Sequence, residues 1–395
     1  METLLLGENQ TDIEKAAAIL RAGGIVAFPT ETVYGLGADA LNPQAVGDVY
    51  AAKGRPSDNP MIVHIADLAG LYRLMKQKPD AGAAMPATFM DIEKLAAAFW
   101  PGPLTMVVAR DESVPDRTTG GLDTVGVRMP SDETARALIR AAGCPIAAPS
   151  ANLSGRPSPT TAQHVITDLY GRVDAIIQGK DCDHGIESTV VDMTVDPPMI
   201  LRPGVITREM LSRALGKEVA VDPSLNARPA RELDPEAART AEKENRAGTG
   251  ATKPAGPKAP GMKYKHYAPK APMTIYSGMP RKAREAMRAE AARLEANGKK
   301  VVLIDFGYGE AGETDGAEGQ AAYEIQAAHE LFAALRRADE EGADAILAMA
   351  IPARGVGFAV MNRMLKSAGY HIIEVGEEDA ASATPSQQET KGEQS

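Results

Sequence analysis

At 395 residues the chain exceeds what one hydrophobic core usually organises, so two domains are expected. Hydrophobic residues at 44% and charged residues at 24% exclude a fibrous or wholly disordered chain. A formal net charge of −10 argues against tight, extended binding of nucleic acid by the surface at large. It leaves room for a local basic cleft, because charge acts mainly within about one Debye length, roughly 8–10 Å.

Residues 11–14, Thr-Asp-Ile-Glu, read as a capping box, and Ile13, Ala16, Ala17 and Leu20 recur at helical spacing until Gly23-Gly24 closes the helix. Ile25 to Phe28 is a short β-rich run, and Asn42-Pro43 supplies an N-cap and N1 proline for a second helix ending near Lys53. Further strands are expected at 61–65, 104–109, 124–128, 145–148, 175–177, 189–192 and 199–201. Helices are expected between several of them, at 68–77, 92–99, 132–142, 162–169 and 208–215. This half reads as one α/β domain, residues 1–221.

From Asp222 to Pro260 the chain is almost free of large apolar residues and reads as a mobile linker. Strands at 273–276, 301–305 and 345–350 then alternate with helices at 281–297, 323–340 and 357–367, which predicts a small parallel-sheet domain over 272–375. Residues 376–395 are polar and read as a disordered tail. No apolar run approaches the roughly eighteen residues of a membrane span, and residues 1–10 lack the features of a secretion signal, so a cytoplasmic location is expected. Cys144 and Cys182 each lack a nearby Cys or His at metal spacing and read as reduced thiols, with no protein-built metal site.

No Gly-x-x-x-x-Gly-Lys-Ser/Thr loop is present, so any nucleotide must be held by another device. Residues 35–40 (GLGADA) formally fit a dinucleotide fingerprint, but the following helix starts too late, at Asn42-Pro43. Residues 28–37 end a strand in a turn dense with hydroxyls and glycines, which reads equally as a ligand loop or as a turn satisfied within itself. Lys53, Arg55 and Asn59 gather after a helix in a cluster suited to phosphate oxygens; the competing reading is two solvated charges favoured by the helix dipole.

In the 124–128 strand, alternation buries Val125 and Val127 and turns Thr124, Gly126 and Arg128 to the other face. His64 alternates with Val63 and Ile65, and a lone histidine of this kind is more often structural than catalytic. Ser188 begins a later strand. Ala148, Ser150, Asn152 and Ser158 lie in small-residue segments that let a nucleotide approach the backbone, and no Gly-x-Ser-x-Gly elbow surrounds Ser150.

Taken in order, PTETVYGLG (29–37), KGRPSDNP (53–60) followed by IVHI, WPGPLT (100–105), GLDTVGVRMP (121–130), APSAN (148–152), GIESTVVD (185–192), LRPG (201–204), APGMKYKHYAP (259–269) and PARGVGFAVMNR (352–363) resemble the YrdC-type threonylcarbamoyl-adenylate synthases in their two-domain form. The resemblance covers nearly the whole folded chain. It implies a twisted open α/β catalytic domain with a deep cleft, a linker over 222–271 carrying the His-Tyr-Ala-Pro segment, and a small Rossmann-like domain. In shorter members the catalytic half alone performs the chemistry. Two departures are a long linker, about 226–260, and an apparent insertion at Ala81 to Thr88.

The same resemblance implies that Thr32, His64, Arg128, Ala148 (through its backbone) and Ser188 bind L-threonine. Lys53, Arg55, Asn59, Thr124, Ser150, Asn152, Ser158 and Arg202 would surround ATP, with Tyr267 folding back over it. The expected reaction is that of a nucleotidyltransferase. The threonine amine captures CO2 or bicarbonate, and the carbamate attacks the α-phosphorus and expels pyrophosphate. Lys53 and Arg55 are the expected catalytic groups, aided by Arg202 and by the Mg²⁺ that accompanies ATP.

One methyl separates threonine from serine, worth about 1–3 kcal/mol, so some use of serine is expected. The product would pass to a tRNA threonylcarbamoyl transferase complex by transient contact, with weak or no direct tRNA binding. A hydrogenase-maturation carbamoyltransferase is disfavoured by the two cysteines, and a chemistry-free duplex-RNA module by the acidic charge. For the small domain, gating of the cleft through Tyr267 is the expected role.

Overall fold

The computed structural model describes residues 2–76, 87–225, 267–309 and 317–376. The expected linker (from 226), most of the expected insertion, His266 and the tail from 377 lie outside the described residues.

An eleven-stranded mixed sheet organises the first half. Its strands are β1 (Leu4–Leu6), β2 (Val26–Phe28), β3 (Gly35–Asp39), β4 (Ile62–His64), β5 (Leu104–Ala109), β6 (Thr124–Arg128), β7 (Ile146–Ala147), β8 (Ala175–Ile177), β9 (Thr189–Asp192), β10 (Met199–Arg202) and β11 (Ala220–Val221), in the spatial order β1-β8-β2-β3-β7-β4-β6-β5-β9-β10-β11. Strand alternation sorts the core into two layers. Val26, Phe28, Ala175 and Ile177 pack with helices α1 (Gln10–Arg21) and α6 (Glu133–Ala142), whereas Ala27 and Ile176 join the larger core. That core is covered by α2 (Pro43–Lys53), α3 (Leu68–Leu74), α4 (Ala87–Phe99), α7 (Ala162–Leu169) and α8 (Arg208–Leu215). A one-turn helix, α5 (Asp116–Thr119), precedes β6.

Local signals were mostly followed. Asn42 caps α2 as its spacing predicts, accepting from the amides of Gln44 and Ala45. The first helix differs. Its N-cap is Asn9, which accepts from the Asp12 amide, while the Asp12 carboxylate reaches back to Gly7 N; this pair satisfies the end groups before Thr11 is reached.

Residues 35–39, read from sequence as part of a turn, form the strand β3, paired antiparallel with both β2 and β7. A side chain on Gly37 would sit 2.6 Å from Ile146 and 2.7 Å from Phe28. The glycine pair therefore serves close strand packing, which explains the false dinucleotide fingerprint.

The second sheet is wholly parallel. It comprises β12 (Met273–Gly278), β13 (Val301–Ile304), β14 (Ala345–Met349) and β15 (Ile372–Val375), ordered β13-β14-β12-β15, with helices α9 (Pro280–Ala296), α10 (Ala317–Glu340) and α11 (Gly355–Ser367). The α10–α11 layer shares one buried cluster with Val33, Ile186 and Tyr267. Contact is close enough that Gly185, at φ 70°, would drive a Cβ to within 2.2 Å of the His329 carbonyl of α10. Among the described residues no helix is long and apolar enough to cross a membrane.

Candidate active site

The central strands bring the expected residues to one open cleft, whose space out to bulk solvent is about 730 Å³. Thr32, Lys53, Arg55, His64, Arg128, Ala148, Ser150, Asn152, Ser158, Arg202 and Tyr267 all line it. Three expected residues do not. Thr124 shares a strand face with Arg128 but lies four residues, about 13 Å, along it, in a separate narrow crevice with Pro60 and Val190. Asn59 and Ser188 sit behind the wall, 1% and 0% exposed.

One end of the cleft is built by β4 and β6, whose parallel register sets His64 beside Arg128. Arg128 meets Glu31 at 2.7 Å, both nearly inaccessible. The pair is close but not aligned as a hydrogen bond, so both Glu31 oxygens and Arg128 Nε and Nη2 keep unmatched hydrogen-bonding capacity, as does His64 Nδ1. Burial, the largest single influence, would raise the Glu31 carboxyl, but the Arg128 charge and close polar contacts together outweigh it and hold the group below its ordinary value. Nearby, the Thr30 hydroxyl donates to Val33 O at 2.6 Å and lies 2.9 Å from the Thr32 hydroxyl. Ala148 N donates to Ile62 O, so its carbonyl, not its amide, is what remains to offer a ligand.

The other end is cationic. Lys53 Nζ, 3% exposed, donates to the carbonyls of Ser150 and Asn152, anchoring the 150–152 loop from beneath. Burial, then the Arg55 charge, pushes its pKa well below that of a free lysine. Arg55 is fixed by the carbonyls of Asn59 and Pro60 at 3.3 and 3.0 Å. Arg202 donates to Ser188 O and Oγ, each at 3.0 Å; Ser188 Oγ in turn lies 2.8 Å from Thr105 Oγ1. Ser188 thus orients Arg202 from behind. Burial lowers the Arg202 pKa to about 10, which leaves it charged at neutral pH.

Sequence reasoning missed Glu31, Arg156 and Glu187. Arg156 and Glu187 line the cleft, and Glu31 holds Arg128. Each stands inside a motif already singled out, but the partner that defines its task is 97, 12 or 176 positions away. Among the described residues, five cationic side chains and one carboxylate line the cleft of a chain whose net charge is −10. Such a concentration of one sign focuses the field on an incoming polyanion.

His64 carries a pH prediction. Burial, then the Arg128 charge, lowers its pKa to about 3, and burial lowers His164 to about 4. Between pH 6.5 and 4.5 the unfolded chain therefore binds protons that the folded chain refuses, so stability falls as pH falls. For His64 the slope is up to about 1.4 kcal/mol per pH unit. Urea midpoints should drop across this window, and His64→Gln should flatten the slope; an unchanged slope would place the proton uptake elsewhere.

Comparison with known proteins places this architecture. The family profile Sua5_yciO_yrdC, described as "Telomere recombination", matches residues 18–204, and "Threonylcarbamoyl-AMP synthase, C-terminal domain" matches residues 206–369. The threonylcarbamoyl-AMP synthase of Pyrococcus abyssi is 44% identical over 363 residues, 92% of this chain and 96% of its own. That of Bacillus subtilis is 41% identical over 373 residues, covering 93% and 96%. The crystal structure of P. abyssi Sua5 complexed with L-threonine superposes with a TM-score of 0.77 at 42% identity, over 95% of this chain and all of that one.

Proposed function

The chain belongs to the threonylcarbamoyl-AMP synthase family, with a Sua5/YrdC domain followed by a Sua5 C-terminal domain, and from this premise we propose how its cleft performs the reaction. The enzyme synthesises L-threonylcarbamoyl-adenylate from L-threonine, bicarbonate or CO2 and ATP, releasing pyrophosphate, for threonylcarbamoyl-adenosine modification of tRNA.

The observation that carries the assignment of its two ends is their contrast in charge. L-Threonine sits at the Glu31–Arg128–His64 end, where unmatched polar atoms of both signs suit a zwitterion. Arg128 takes the carboxylate. His64, neutral at working pH, Thr32 and the Ala148 carbonyl orient the rest of the amino acid. ATP lies along the cationic end, its phosphates toward Lys53, Arg55 and Arg202, with Ser150, Asn152 and Ser158 beside it. Tyr267 closes this end, 5% exposed and packed against Phe332 with ring centres 5.1 Å apart and planes tilted by 33°. Asn59 and Ser188 act from behind the wall, Asn59 through the carbonyl that holds Arg55 and Ser188 by aiming Arg202, whereas Thr124 stands apart in its own crevice.

In this arrangement the neutral amine of threonine attacks the carbon of CO2 with loss of a proton, or of bicarbonate with loss of water, giving a carbamate. A carbamate oxygen then attacks the α-phosphorus while the bond to the β-phosphate oxygen breaks and pyrophosphate leaves. Neutralisation and alignment by Lys53, Arg55 and Arg202 supply the catalysis, and no protein nucleophile takes part. Mg²⁺ enters as part of the MgATP substrate. Among the described residues the one carboxylate lining the cleft, Glu187, is engaged by Ser158 and Arg363.

The product leaves for a tRNA threonylcarbamoyl transferase complex by transient contact, with little direct tRNA binding, and the location is cytoplasmic. These last readings rest on the acidic surface and the two free cysteines, whose thiols burial pushes up, Cys144 to about 12.

The test is to supply ATP, Mg²⁺ and bicarbonate with and without L-threonine, measuring pyrophosphate and the adenylate by mass spectrometry. Threonine-dependent release with the adenylate is expected. Folded protein that shows no turnover but binds duplex RNA with strong salt dependence would replace this reading with an RNA-binding one.

A further inference from the structure

The ATP end of the cleft is not supported by the first half alone. Two buried arginines cross from the helical layer of the second half and end on the segments that carry its lining residues. Arg363 of α11, 0% exposed, donates through Nε to Glu187 Oε2 at 3.1 Å and through Nη1 to the Pro203 carbonyl at 2.5 Å. Glu187 Oε1 accepts from Ser158 Oγ at 2.6 Å, and the Tyr267 hydroxyl also bonds to this carboxylate. Arg202 stands between the two anchored points, bonded to Ser188 and followed directly by Pro203.

Arg336 of α10, 6% exposed, donates to the Pro157 carbonyl at 2.6 Å and to Asp168 Oδ2 at 2.9 Å. The other Asp168 oxygen holds Arg156 of the cleft wall, also at 2.9 Å. The threonine end is held differently. His64 and Arg128 sit on paired central strands, and Arg128 is set by Glu31, all from the first half.

We propose that Arg336 and Arg363 are positioning residues for the reaction, setting the Ser158, Arg156 and Arg202 side of the cleft for ATP while leaving the L-threonine end independent of them. A buried guanidinium with several acceptors holds those acceptors in one geometry, and small displacements of aligned groups carry a large rate penalty. The second half is then a working part of the nucleotide site and not only a cover. This rests on the assignment of ATP to the cationic end.

The experiment uses the full-length enzyme with Arg363→Met, Arg363→Lys, Arg336→Met and Arg336→Lys. Binding of MgATP and of L-threonine is titrated separately by calorimetry, and KM and kcat are measured for each substrate. The expected result is KM and Kd for MgATP raised at least about tenfold in the methionine variants, with the L-threonine Kd within about twofold of wild type and partial recovery in the lysine variants.

If a methionine variant does not fold, its lysine counterpart decides, because a single ammonium cannot span the separated acceptors that the planar guanidinium fork holds at once: MgATP should weaken about threefold or more with the L-threonine affinity unchanged. MgATP affinity within about twofold of wild type in all folded variants overturns the positioning role while leaving the functional reading intact. Equal losses for both substrates also overturn it, by making the arginines general supports of the fold. Wild-type enzyme that binds neither ligand overturns both proposals.

Discussion

Replacing Arg128 with methionine should lower kcat/KM for L-threonine by about three orders of magnitude, because the change removes the guanidinium at the amino-acid end of the cleft and leaves its carboxylate partner buried. Glu31 is 1% exposed, so without Arg128 its charge is uncompensated. Breaking such a pair costs about 3–5 kcal/mol of stability. The carboxyl would then rise in pKa, since the charge and contact of Arg128 supply the main opposition to burial.

That double consequence also supplies the control. The double variant Glu31→Gln/Arg128→Met removes both charges and should recover most of the lost stability without recovering turnover, as removing both partners of a buried pair is far less harmful than removing one. Denaturant melts and threonine-dependent pyrophosphate release separate the two effects. Turnover restored along with stability would mean that Arg128 serves the fold and not the substrate.

Lys53→Ala should be the second severe change, with kcat/KM for ATP reduced by about 10²–10³ and L-threonine affinity little altered. The ammonium lies under the 150–152 loop, bound to two of its carbonyls, so its removal deletes a positive charge and frees the loop that carries Ser150 and Asn152. The cost to the fold should be smaller. Burial already disfavours the charged form of Lys53, and the freed carbonyls face a cleft that water can enter. A melting temperature lowered by a few degrees alongside unchanged ATP kinetics would refute the role given to Lys53 at the phosphates.

Three of the four strands of the second domain and most helices were legible because their signals are local. Asn42-Pro43 announces α2, and the apolar run at 104–109 and the alternation at 124–128 mark β5 and β6 to the residue. Short elements escaped. Leu4–Leu6 and Ile372–Val375 carry too few residues to show a period and become strands only by pairing with β8 and β12. Gly35–Asp39 escaped because its glycines read as a turn; their purpose appears only when Phe28 and Ile146 close on them from neighbouring strands.

The candidate site divides in the same way. Residue type and spacing in the sequence by itself determined the α/β class, the two-part organisation and, through its ordered motifs, the family and the groups gathered in the cleft. Tertiary structure alone decided that Lys53 is turned under a loop, that Thr124 lies in a different crevice from Arg128, and that Glu31, Glu187, Arg336 and Arg363 hold the functional side chains in place. The reason is range. Caps, turns and periodicity are set by residues a few positions apart, whereas a buried charge has no defined role until the fold brings it a partner, and Glu187 and Arg363 stand 176 positions apart.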